Sequence, residues 1–115
     1  MKYGALFHNG TCILPKVART TNAWDRLRGL LGRPRLQVGE ALLIDPCPSV
    51  HTIGMSYPLD LVFLDAEFRL LKQVSELKPL RWAGCNNARA TLELAPGSLK
   101  ALPLNTGDRL EWRPV

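Results

Sequence analysis

The sequence has little cysteine, few aromatic residues and no long apolar run. Its three cysteines, Cys12, Cys47 and Cys85, are odd in number, widely spaced and form no CxxC pair. That speaks against a disulfide framework and against paired-thiolate zinc motifs, and it fits a reducing compartment. No stretch approaches the ~20 apolar residues of a membrane-spanning helix. Met1 to Phe7 is too short and too interrupted for a secretory h-region. Unless a leader has been removed, the chain is expected to stay in the cytoplasm. P-loop, GxGxxG, HExxH and GxSxG patterns are all missing. The arginines are not interleaved with aromatics that stack bases, so nucleic-acid binding is unsupported.

What is present suits one domain over residues 1–115. A chain of 115 residues with 46% hydrophobic content can bury a core without staples. The net charge is +5 and uneven: residues 1–39 carry seven basic side chains against Asp25 alone. A basic end attracts anions, although a solvated positive face is the plainer reading. Nine glycines and nine prolines are spread along the chain, as in a fold of many short strands.

Asn9-Gly10 predicts a type I′ hairpin between Tyr3–His8 and Thr11–Leu14. A two-residue loop would pair Phe7 with Cys12 and Ala5 with Leu14 on one face. Leu6 with Ile13 and His8 with Thr11 would share the other, which makes Cys12 a small core residue. A short helix follows, capped by Thr21 or Asn22, with Asp25 near its positive end. Its stripe is Trp24, Leu27, Leu30 and Leu31. Arg28 lies one turn after Trp24, within reach of the indole. Gly29 falls inside this helix, as if another backbone packed close, and Gly32 ends it. Strands are expected at Leu42–Ile44, Leu59–Leu64, Phe68–Val74, Thr91–Ala95 and Arg109–Trp112, with a helical turn over Ser98–Leu102. The fold class is α+β but mainly β: a small mixed β-barrel or strongly curved sheet with one short helix.

The densest polar segment is 45–58, a loop between two apolar strands. Cys47 and His51 have the chemistry of a nucleophile and base, but the plainer reading is a buried thiol and a structural imidazole. Cys47, His51 and Cys85 have zinc-ligand chemistry without zinc-ligand spacing, so no metal and no cofactor are expected. Asp60 is a sharper anomaly. Alternation sets it on one face with Val62 and Leu64, where a carboxylate needs a partner. His51, a helix arginine or backbone N–H groups at the end of the 45–58 loop are the candidates. It is either a ligand-facing acid or a structural tie, and the tie is favoured. Glu93 shares a face with Thr91 and Ala95 and is expected to face water. Trp82, Trp112 and Tyr57 either line a pocket or close a core edge.

Several of these blocks resemble the DUF192 (UPF0127) family. Trp24-Asp25-Arg26-Leu27-Arg28-Gly29-Leu30-Leu31-Gly32-Arg33 is similar to its "RxRGLMxR" opening. His51 to Met55 with Pro58 to Asp65 resembles its "WM…PLDIxFLD" centre, Ala90 to Gly97 its "A…VLELxAG" block, and Gly107-Asp108 its closing "GD". The resemblance spans about residues 17–111. It implies a small mixed β-barrel, found mostly in bacteria and archaea, with no assigned activity. Leu31 stands where Met is usual, and His51 and Gly54 replace a more common aromatic pattern before Met55.

Together these readings point to a non-catalytic binding domain. Its candidate site lies between the 45–58 loop and the helix, around Arg28, Arg33, His51, Met55 and Asp60. The expected partner is a small anion, a saccharide or a protein. The rival readings are a small hydrolase with His51 and Asp60 as general base pair, and a pure interaction module.

Overall fold

Asn9 and Gly10 have φ of 51° and 78°, the left-handed pair that a two-residue hairpin loop demands. They join β1 (Lys2–His8) to β2 (Thr11–Arg19) in a computed structural model that describes residues 1–115. His8 faces Thr11 and Phe7 faces Cys12, as the turn dictates, but Leu6 then faces Leu14 rather than Ile13. One residue is therefore additional on β2, and such a bulge reverses the alternation beyond it. Leu6 and Leu14 both become buried, and Cys12 is exposed rather than a core residue.

β2 runs on to Arg19 and pairs in parallel with β3 (Glu40–Ile44). The crossover between them contains α1 (Ala23–Arg28). β8 (Ala90–Leu94) lies antiparallel to β3, β5 (Leu59–Leu64) to β8, and β6 (Leu70–Leu77) to β5. β9 (Leu110–Pro114) adds to the free side of β1. The result is one mixed seven-stranded sheet of order β6-β5-β8-β3-β2-β1-β9. Its edges touch at a single bridge, Arg69 with Arg109. The mainly β class agrees with the sequence; of the two forms expected, a small mixed barrel or a strongly curved sheet, the structure has an open mixed sheet rather than a closed barrel.

Two cores lie on the two faces of this sheet. Leu6, Leu14, Val17, Leu43, Val62 and Leu92 belong to one. It is joined by Leu99 of α2 (Ser98–Ala101), which is the helical turn expected over Ser98–Leu102. Leu42, Ile44, Leu61 and Phe63 belong to the other. That second face is covered by a small ladder of β4 (Ser49–His51) and β7 (Trp82–Gly84), with Tyr57 and Leu30. β5 and β8 are consequently buried along their whole length. β4 and β7 are three residues each, too short to carry a period in the sequence.

Thr52 anchors this second layer. Its buried hydroxyl lies 2.6 Å from the Lys78 carbonyl and accepts the Arg81 N–H at 2.9 Å. Thr52→Val removes both partly buried hydrogen bonds, to the Lys78 carbonyl and from the Arg81 N–H, and is expected to cost about 2 kcal/mol. Amide hydrogen exchange should show β4 and β7 loosening before the seven-stranded sheet.

Candidate functional site

α1 is six residues long. Asn22 caps it, its Oδ1 accepting the Asp25 N–H at 2.8 Å. Gly29, with φ of 52°, ends it, so the helix stops three residues before Gly32. Positive φ explains this glycine better than close packing inside a helix would. The turn also undoes the expected apolar stripe. Leu30 goes into the core, while Trp24 and Leu27 are 68% and 76% exposed.

The arginines of this segment brace the turn. Arg28 Nε donates to the Leu31 carbonyl at 2.9 Å and Nη2 to that of Gly32 at 3.2 Å. These bonds hold its guanidinium on the backbone instead of stacking it on Trp24. Arg33 Nε donates to the Gly29 carbonyl at 2.7 Å.

Between this turn and the 47–55 segment lies a pocket of about 90 Å³. Arg28, His51 and Met55 line it, as do Arg26, Cys47 and Glu93. Arg33 lies outside it, against a separate groove beside β1 and β2. Asp60 points to the opposite face of the sheet. Its Oδ1 accepts the Glu76 N–H at 2.8 Å and its Oδ2 the Leu99 N–H at 2.9 Å. Both backbone donors are spoken for by this buried carboxylate, which is the structural tie between β5, β6 and α2. The proposed His51–Asp60 base pair is therefore not assembled. Nor do the zinc-type donors converge: no group of three His, Cys, Asp or Glu side chains is placed to hold a metal. The aromatic trio is dispersed too. Tyr57 is core, Trp82 is exposed, and Trp112 Nε1 donates to the Val17 carbonyl.

Glu93 corrects the sequence reading most strongly. It stands on β8 between Leu42 of β3 and Leu61 of β5, on the face that the second layer covers. The side chain does not meet water: the residue is 4% exposed. Its Oε1 is buried with no hydrogen-bond partner. Burial pushes its pKa up to about 8, so the carboxyl is mostly protonated at neutral pH. A Cβ at Gly29 would lie 3.8 Å from that oxygen, so the α1 turn closes directly over it. The signal was in the sequence. In a strand buried on both faces, Glu93 within Ala90-Thr91-Leu92-Glu93-Leu94-Ala95 is as anomalous as Asp60.

Cys47 is a wall of the same pocket. Its thiol donates to the Ser49 carbonyl at 2.9 Å, and the Thr91 hydroxyl donates to the Cys47 carbonyl at 2.7 Å. Burial pushes the Cys47 thiol above its ordinary range. Nucleophilic use of this cysteine is disfavoured accordingly. Maleimide labelling followed by peptide mapping should modify exposed Cys12 first and Cys47 slowest.

The sequence profile of DUF192, a family described as "Uncharacterized ACR", matches residues 6–112. Among curated proteins none matches the chain. One similar solved structure is a protein of unknown function from Novosphingobium aromaticivorans DSM 12444. The two share 20% identity over 96% of this chain and 84% of that one, with a TM-score of 0.76. Another, from Sinorhizobium meliloti 1021, is described as a "putative transcription regulator". It is 21% identical over 96% of this chain and 92% of its own, with a TM-score of 0.79. At this identity the likeness speaks for the fold alone. No helix of the chain is long and apolar enough to cross a membrane. With the family profile covering nearly its whole length, the chain belongs to the DUF192 family.

Proposed function

We propose that this protein is a non-catalytic binding protein whose site is the pocket over Glu93. One observation carries the reading: Glu93, a residue 4% exposed whose Oε1 has no hydrogen-bond partner, is part of the pocket wall. An unpaired buried polar atom costs about 1–3 kcal/mol. A ligand that supplies the missing partner recovers that energy as affinity. Glu93 interrupts the otherwise apolar row of Leu42 and Leu61, where a leucine would pack without this cost.

The pocket also indicates the ligand's chemistry. A protonated carboxyl donates one hydrogen bond and accepts others, so its complement is a neutral group that does both, an amide or a hydroxyl. Arg26 and Arg28 line the pocket and favour anionic character beside that group, and His51 lines it with them. In this reading Arg28, His51 and Met55 remain ligand-facing residues. Arg33 serves as a brace and Asp60 as a tie.

Propionamide carries the complementary group and little else. Titrated into labelled protein, it is expected to shift the amide resonances of Gly29, Val50, Met55 and Glu93, and to leave the Asn9-Gly10 turn unmoved. Glu93→Leu should abolish the response. Shifts that persist unchanged in Glu93→Leu contradict the placement.

A further inference from the structure

We infer that the pocket over Glu93 receives a carboxamide side chain, glutamine or asparagine, from an acidic peptide segment whose remainder lies across α1 and Ile53. The inference rests on the binding reading above and names the occupant.

Size is the first argument. Pockets for whole small molecules usually run to about 300–1,000 Å³. This one is about 90 Å³, room for a single side chain. The rest of any ligand must lie outside, on the rim.

The rim is the second argument. Leu27 and Ile53 border the pocket and are 76% and 59% exposed. Trp24, three residues before Leu27 on the same helix, is 68% exposed. Adjacent exposed large apolar side chains of this kind mark interaction surfaces. Tryptophan and arginine in particular anchor protein partners.

Charge selects the partner. Arg26 is half-buried, and its guanidinium makes neither a side-chain hydrogen bond nor an ion pair. Arg28 stands beside it, and residues 1–39 sum to +6. No acidic side chain other than Glu93 lines the pocket. Acidic flanks in the segment complement this surface. A lysine anchor is disfavoured because it would enter past Arg26 and Arg28. An aliphatic anchor leaves Glu93 Oε1 unpaired. A carboxamide both donates and accepts, so it complements the Glu93 carboxyl as a whole in a way an aliphatic side chain does not.

The test uses the full chain, immobilised, and a pool of capped peptides, acetyl-Glu-Leu-X-Leu-Glu-amide, with X varied over the natural residues. Peptides with glutamine or asparagine at X should be retained about tenfold over those with leucine or lysine, a difference of roughly 1.4 kcal/mol. Glu93→Leu should erase that selection. Arg26→Glu should weaken retention of the whole pool without changing the preference at X. Enrichment of lysine, no enrichment at all, or selection that survives Glu93→Leu overturns the inference. So does preferential retention of a single-stranded oligonucleotide over the peptides. The two readings fail separately. If propionamide still reports on Gly29 and Glu93 while the pool shows no selection, the pocket stands and its peptide occupant falls. Silence from both removes both.

Discussion

Glu93→Leu is expected to make the protein more stable, and by much more in mild alkali than in mild acid. In the folded state the carboxyl is pushed from an ordinary 4.5 to about 8 by burial. Between those values the folded protein holds a proton that the unfolded chain has released. Stability therefore falls as pH rises through this window, by up to about 1.4 kcal/mol per pH unit, and levels off above the folded pKa. Below the unfolded pKa the group is protonated in both states and contributes no slope. Urea denaturation should show wild-type stability declining from pH 5 to pH 8. The decline should be absent in Glu93→Gln and Glu93→Leu. Leucine should add a further gain by extending the row of Leu42 and Leu61. A residue that weakens the fold at its own position is most simply retained for what it binds.

Asp60→Ala is expected to have the opposite sign. The carboxylate is 1% exposed and accepts two backbone N–H groups, one from Glu76 on β6 and one from Leu99 at the start of α2. Glu76 has φ of 50°, so β6 departs from regular strand geometry where it donates. Alanine leaves the buried Leu99 N–H and the partly buried Glu76 N–H without acceptors, and a small void. The expected loss is about 3–5 kcal/mol, a large part of the 5–15 kcal/mol that holds a typical domain. Asp60→Asn keeps one acceptor but turns an amide N–H₂ toward the other donor, and should lose roughly half as much. A lower urea midpoint with unchanged m-value reads the effect. If the loss were small, the tie would not be the role of Asp60.

These two acids show how far the sequence could be read. Asp60 was recognisable because it breaks an apolar strand, but the backbone donors expected at the end of the 45–58 loop come instead from Glu76 and Leu99. Glu93 breaks a strand of the same kind, yet alternation alone sent it to solvent. The difference lies in the second layer. β4 and β7 cover that face, and neither has enough residues to announce itself. The helix failed for a related reason. Trp24, Leu27, Leu30 and Leu31 form a stripe only if the helix continues, and positive φ at Gly29 stops it. The hairpin turn was legible to the residue, but the bulge beyond it was not, and Cys12 moved from core to surface as a result. Arg28, His51 and Met55 were brought together as their sequence blocks implied. Arg33 and Asp60 belong to the frame around them, and Arg26, Cys47 and Glu93 complete the pocket.

The most direct measurement is a carbon-detected NMR titration of the Glu93 side-chain carboxyl, in free protein and in protein saturated with propionamide. A midpoint near 8 is expected in the free protein, and a perturbed carboxyl signal with a shifted midpoint once the amide is bound. A midpoint near 4.5, unaffected by propionamide, would mean that the carboxyl is solvated and that the pocket has no floor of this kind.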